Sequence, residues 1–285
     1  MLPMPTPFRP LLTLLSLALV ASACSPPVEA PEELGELTRY LFANFDTEGE
    51  ELVAGMDSLE AFLSGVDMGG QLDDRAVTPP KLTSDYWGEV SGPAEVDQEL
   101  QVPVSVWRES PHPVSSQLGL FIEPNQVCIQ DDGTKYYMRL FDSDTSCLVD
   151  GTCDRANSTG EVRFENLLAK AWLDTFADLR AVPAADGRVR YVIRGWMEER
   201  GIADDGESSW DQRFSLDIAI PHPENSELSW RFLTSWGSVT IPGVGDDLYA
   251  TLVKSGIDEI FENGDVFIDG GSCDNDRDRP YDRND

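Results

Sequence analysis

Two histidines and five cysteines are the side chains with the most specific chemistry to offer in this sequence. Both histidines, His112 and His222, sit in Pro-His-Pro turns whose surroundings match. Pro111-His112-Pro113-Val114-Ser115-Ser116-Gln117-Leu118 aligns with Pro221-His222-Pro223-Glu224-Asn225-Ser226-Glu227-Leu228, and the pairs Asp97-Gln98 and Asp211-Gln212 lie upstream. Proline presets φ and a serine or asparagine side chain bonds back to the backbone, so a recurring hairpin turn explains the match. Convergence of the two histidines on a metal would need a further ligand, and none has matching spacing. No HExxH helix, GxSxG elbow, Ser-x-x-Lys, Walker glycine–lysine or CxxC occurs. No catalytic set, metal set or cofactor is therefore assigned. Carboxylates are different: among 52 acids some must be neighbours, and a glycosidase-type pair needs only two carboxyls at a set separation across a cleft. A hydrolase without a recognisable motif stays as an alternative.

Two acidic stretches have spacing that bears on calcium. Asp274, Asp276, Asp278, Asp282 and Asp285 occupy positions 1, 3, 5, 9 and 12 of a twelve-residue segment, the pattern by which oxygens converge on Ca²⁺ in EF-hand-type loops. Arg279 stands where such a loop needs glycine for its sharp turn, and Arg277 and Arg283 cancel charge. Asp142, Asp144, Asp150 and Asp154 form the second cluster. Solvated acidic chain is the favoured reading of both, with a calcium-binding surface protein as a further alternative.

The first 23 residues carry one positive charge, Arg9, an apolar run from Leu11 to Val20 and then the small residues Ala21, Ser22 and Ala23. That is the layout of a secretory signal, and the run is shorter than the roughly 20 residues a membrane span needs. Ala21-Ser22-Ala23-Cys24 resembles the bacterial lipobox. The resemblance implies that the Cys24 sulfur receives a diacylglycerol, that the chain is cut before it and that the new amine is acylated. Ser25 in place of an aspartate after the cysteine implies the outer membrane. With Cys24 used in this way, four cysteines remain, an even number suited to two disulfides in an oxidising compartment. Cys147 and Cys153 are separated by five residues that include Gly151, which favours their closure and leaves Cys128 for Cys273.

Composition narrows the partners. The 285-residue chain holds 21 basic residues against 52 acidic ones, a formal charge of −31. Nucleic acid is excluded, because binding it requires clustered Lys and Arg. Such a surface is also repelled by anionic headgroups, so membrane association would come from the lipid anchor alone. The body, 41% hydrophobic with seven Trp and twelve Phe, is rich enough to build a core, and the tryptophans are read as part of it.

The elements that must position these residues form an α+β pattern. Residues 1–23 are the signal peptide, 24–31 a Pro-rich tether, 32–268 a single domain and 269–285 an acidic tail. Leu34, Leu37, Leu41 and Phe45, then Leu52, Met56, Leu59, Leu63 and Val66, recur at helical spacing and predict an N-terminal helical hairpin over 32–67. Thr47 and Glu50 read as a capping box ahead of the second helix. Residues 97–268 are the β-rich part, with strands predicted over 102–107, 118–122, 136–141, 189–197, 214–220 and 230–241. Residues 164–179 fit a helix stripe, although the turn-like stretch after them allows a long strand. A long C-terminal helix begins near Asp246 behind an acidic first turn. A largely antiparallel sheet with helices at both ends is compatible with a curved sheet gripping a helix around an apolar cavity. The sequence thus points to a non-catalytic binding or assembly module of the envelope, with an envelope protein or a small apolar ligand as partner.

Overall fold

A computed structural model describes residues 28–93, 97–165 and 169–273. The signal segment, Cys24 and the Asp274–Asp285 stretch lie outside the described residues.

Alternating and doubly apolar runs pair in sequence into one antiparallel sheet. Its strands are β1 (Ala76–Val77), β2 (Val102–Ser110), β3 (Thr134–Phe141), β4 (Arg155–Glu165), β5 (Lys170–Pro183), β6 (Val189–Trp196), β7 (Gly201–Ile202), β8 (Ser209–Pro221) and β9 (Ser229–Thr240). The order across the sheet is β1-β2-β9-β8-β6-β5-β4-β3, with the short β7 on β8. Strands β3 to β6 follow one another as antiparallel neighbours, β6 pairs with β8 and β8 with β9, and β2 closes onto β9 in register from Val102↔Gly237 to Ser110↔Ser229.

Side chains alternate across a strand, and here both faces are covered. On one face lies the predicted helical hairpin, α1 (Leu34–Ala43) and α2 (Glu51–Leu63). Its Leu37, Leu41, Phe42, Met56 and Leu59 pack on Phe214, Leu216, Ile218, Phe232 and Trp236 of β8 and β9. Phe42 meets Phe214 and Trp236 edge-to-face at 5.8 and 5.7 Å. Two arginines buried on the same face pin the hairpin down. Arg194 bonds Asp46 at 2.6 and 2.9 Å and Asp178 at 2.8 Å, while Arg190 bonds Asp57 at 2.5 Å. The Thr47–Glu50 capping box does not form. The helix starts at Glu51, which puts Glu50 itself at the cap without a side-chain bond, and the Thr47 hydroxyl donates back to the Asn44 carbonyl at 2.8 Å. The first helix is capped instead by Glu33, whose carboxylate accepts from the Gly35 and Glu36 amides.

The other face carries α3 (Val114–Ile122) and α5 (Asp246–Ile268), a 23-residue helix, on the order of 35 Å long. Helix α5 rests on Val104, Val106 and Leu233 through Ile257 and Phe261, and α3 rests on Tyr191, Ile193 and Ala219 through Leu118 and Phe121.

One expectation about elements is corrected and one open reading is resolved. Residues 118–122, read as a strand, belong to α3, because five apolar residues carry no period that separates the two states. The stretch 164–179, left open between helix and strand, is strand in its described part: residues 164–165 end β4 and 170–179 belong to β5. Ala171, Leu173, Ala177 and Leu179 face the α5 side while Trp172 and Phe176 occupy the other, and two-sided burial mimics the stripe.

Cys128 is bonded to Cys273 and Cys147 to Cys153, with Cα–Cα separations of 5.1 and 5.2 Å. The second pair ties the short helix α4 (Ser146–Val149), which holds Cys147, to the turn that follows it. These bridges fit an extracytoplasmic location. Among the described residues no helix is long and apolar enough to cross a membrane.

Candidate functional site

Strand β8 shows where the molecule is hollow. Phe214, Leu216 and Ile218, facing the hairpin, have no exposed surface, whereas Arg213, Ser215 and Asp217 between them are only partly buried. A central strand covered by helices on both sides should lose both sets to the interior. The exception marks unfilled space between the sheet and α5.

A β-bulge shapes the end of this space. Trp210 pairs with Val239 and Gln212 with Ser238, so Asp211 is the extra residue. The extra residue reverses the alternation and brings Trp210 to the cavity side, where it meets Phe164 edge-to-face at 5.2 Å. The Asp211 carboxylate is satisfied by Arg200 and by the Ser209 and Thr240 hydroxyls at 2.7–2.8 Å. Two strand glycines admit phenol rings to the same face. A Cβ on Gly237 would collide with the Tyr249 hydroxyl, and one on Gly160 would come within 2.9 Å of the Tyr137 ring.

The resulting cavity has two chambers that share Arg213, Leu233 and Ile260. The outer one lies beneath α5 and is walled by Phe164, Trp210, Val239, Ile241, Leu252 and Ile257. It encloses about 110 Å³ of room for a water-sized guest and about 780 Å³ out to its mouth. The inner chamber, about 70 Å³ by the same measure, reaches Tyr137, Arg139, Thr175, Ile193 and Ser215. One wall is the loop after Cys128. Its Gln130 carbonyl accepts from Asn263 of α5 at 2.7 Å, and the Cys128–Cys273 bridge fixes it to the chain beyond that helix.

Polar groups in the cavity differ in how well they are matched. Arg231 bonds Asp217 twice at 3.0 Å and Gln117 at 2.8 Å. Arg139 bonds the Tyr137 hydroxyl and the Phe121 carbonyl, each at 3.1 Å. The Arg213 side chain has no hydrogen-bond or ion-pair partner among the described residues, yet its charge acts on Asp131, Tyr137 and Tyr249 around it. Burial pushes the Asp131 carboxyl above the usual carboxylate range, against the opposing pull of Arg213 and the Gly133 amide. Burial likewise pushes Tyr249 up to about 12. At Tyr137 burial acts upward too, but the Arg139 charge and hydrogen bond, with the Thr175 hydrogen bond, outweigh it and hold the phenol below its ordinary value.

The residues singled out in the sequence lie elsewhere. The two Pro-His-Pro copies adopt different structures, the first leading into α3 and the second turning β8 into β9. They lie together at one end of the sheet, where Ser229 donates to the His112 carbonyl at 2.8 Å. His112 lies 3.6 Å from Asp269 and His222 3.5 Å from Glu109, and neither lines the cavity. Among the described residues no three His, Cys, Asp or Glu side chains converge to hold a metal. In the Asp142–Asp154 cluster, Asp144 instead accepts from the Ser146 amide and hydroxyl at 2.9 and 2.8 Å. Sequence reasoning missed Arg213 and Asp131. Arg213 stands one residue before the strand predicted over 214–220, beside Asp211 and Gln212, so nothing in the sequence singles it out.

No family model and no curated protein matches the chain. Among solved structures it is similar to a START superfamily protein from Mycobacterium smegmatis, at 11% identity and a TM-score of 0.41, over 59% of this chain and 97% of that one. A protein from Thermus thermophilus is similar at 14% identity and a TM-score of 0.40, over 60% and 99%. A STAR-related lipid transfer protein from Xanthomonas axonopodis is similar at 8% identity and a TM-score of 0.42, over 59% and 85%.

Proposed function

We propose that the chain is a lipoprotein of the bacterial envelope, acylated at Cys24 and held at the outer membrane, whose cavity binds a small apolar ligand without transforming it. The observation that carries the binding half is the hollow between the sheet and α5, walled by aliphatic and aromatic side chains with a few polar groups at its inner end. Ligand sites are concave, mostly apolar and fixed by a few convergent polar groups. The anchoring half rests on the Ala21–Cys24 resemblance and on the acidic body, which has no electrostatic attraction of its own for a membrane.

A neutral fluorescent probe, N-phenyl-1-naphthylamine, should bind the purified protein saturably. Ser235→Phe, which fills the outer chamber from the sheet side, should abolish that binding with the protein still folded. Undiminished binding in a folded Ser235→Phe protein would place the probe elsewhere and refute the reading. Cys24→Ser should release the protein from membranes or leave an uncut precursor, and unchanged fractionation and migration would refute the anchor.

The hydrolase reading is favoured by one observation, the raised carboxyl of Asp131 inside the cavity. Such a group is a candidate general acid. Loss of a hydrolytic turnover in Asp131→Asn would replace the binding reading with that one.

A further inference from the structure

We infer that the cavity selects amphiphiles carrying one carboxylate, with Arg213 holding the charged end and the outer chamber the apolar tail. The inference deepens the apolar-ligand reading and rests on it.

Three arginines reach the α5 side of the sheet close to the cavity, and two are matched inside the protein: Arg231 by Asp217 and Gln117, and Arg139 by Tyr137 and the Phe121 carbonyl. Arg213 is the exception among the described residues, and it stands where the two chambers meet. A guanidinium partly withdrawn from bulk water with no anion bonded to it loses solvation that nothing inside the protein replaces, and this one sits in a chain with 52 acids to choose from. Even Asp131, whose charge it feels, spends its carboxylate on the Gly133 amide at 2.8 Å instead. The planar fork of an arginine matches a carboxylate through two parallel hydrogen bonds. A dianion such as a phosphate monoester fits less well at Arg213, because its second charge would face Asp131, whose carboxylate feels the same guanidinium.

The placement orders the ligand. From Arg213, which pairs with Gly237, the apolar wall follows β9 past Val239 to Ile241, with the exposed Leu252 of α5 beside it. A carboxylate at the inner junction therefore directs its chain toward solvent beneath α5. The polar atoms of Ser215 and Thr175 lie inward of the junction, on the side where the remaining carboxylate lone pairs would point.

The test is displacement of N-phenyl-1-naphthylamine from the full exported protein by decanoate, decan-1-ol and decyl phosphate. Decanoate should displace the probe at a concentration at least tenfold below decanol, and decyl phosphate should fall behind decanoate. Arg213→Met, which keeps the length of the stem, should weaken decanoate at least tenfold and leave decanol unchanged or tighter. Arg213→Lys, which keeps the charge and loses the fork, should fall between. Equal affinity of wild type for decanoate and decanol overturns the inference and needs no variant to fold. Equal loss of both ligands in Arg213→Met also overturns it, as does tighter binding of the phosphate. Failure of the neutral probe and decanol to bind wild type at all would instead sink the apolar-ligand reading beneath it.

Discussion

Replacing Arg194 with methionine removes a charge that three carboxylate contacts hold in place while keeping most of the stem. The side chain is 1% exposed, and it bonds Asp46 of the hairpin at 2.6 and 2.9 Å and Asp178 of β5 at 2.8 Å. It also lies 4.4 Å from the Phe45 ring centroid. Without it, Asp46 and Asp178 face each other across the joint between the hairpin and the sheet. Breaking one side of a buried ion pair costs roughly 3–5 kcal/mol. The low end, about 3 kcal/mol, applies here, because the two carboxylates keep 16% and 18% of their surface and water can reach them. For a chain of this size, about 2–4 °C of melting temperature accompany each kcal/mol, so the midpoint should fall by roughly 6–12 °C at pH 7. The loss should depend on pH in a fixed direction. Burial already raises the Asp178 carboxyl, with Arg194 opposing and Asp46 adding to the rise. Removing the arginine raises it further. A group raised in the folded state contributes stability at low pH and loses it as pH climbs through its folded value. The deficit should therefore shrink as pH falls into the carboxylate range, and adding Asp178→Asn should recover part of it at pH 7. Calorimetry of the single and double variants from pH 4 to 8 provides the check. A midpoint lowered by less than about 2 °C, or a deficit the same at every pH, would mean that Arg194 acts by packing alone.

Two more outcomes follow from named groups. Asp131→Asn should melt at or above the wild-type temperature at pH 7, since burial makes the ionised carboxyl unfavourable there. The two curves should meet in acid, where the wild-type group is protonated, and a variant less stable at pH 7 would show that the pull of Arg213 outweighs burial. Cys128→Ser with Cys273→Ser should lower the midpoint more than Cys147→Ser with Cys153→Ser. The bridges close chain separations of 145 and 6 residues, and chain entropy released in the unfolded state grows with the loop. Equal losses in thermal melts would refute that ordering.

Helices and strands with a single buried face were legible in the sequence. The hairpin shows a clean 3.6-residue stripe because α1 and α2 present only one side to the sheet. Strand β5 was ambiguous because both its sides meet other groups, and α3 was misread because five apolar residues are too few to show a period. The cavity was legible only as an architectural possibility. Charges within strands announce themselves weakly: in Val189–Trp196, Arg190 and Arg194 stand four apart on one face, and Arg213 lies among the polar Asp211, Gln212 and Ser215. A charge in a strand reads equally as a solvated face, a buried clamp or a ligand contact. Which of these holds depends on what the opposite layer brings, and Asp46, Asp57 and α5 come from distant parts of the chain.

The two faces of the sheet differ in packing: one is filled by the hairpin and the other encloses a cavity. Toward the hairpin, Phe214, Leu216, Ile218 and Phe232 are fully buried, each contributing on the order of 1.5–3 kcal/mol. Toward α5 the same strand offers Arg213, Ser215 and Asp217 around unfilled space. Unfilled volume forfeits dispersion contacts, so a hollow of this kind persists only where other contacts carry the fold. Here they lie on the opposite side of the same backbone, and the Cys128–Cys273 bridge ties the loop wall to the end of α5. The division makes one substitution read differently by face. Methionine at position 194 removes a clamp and should show in melting, whereas methionine at 213 removes a charge with no internal partner and should show in which ligand is held. On the proposed reading, the residues that choose a ligand are separated, by the thickness of one sheet, from those that hold the protein together.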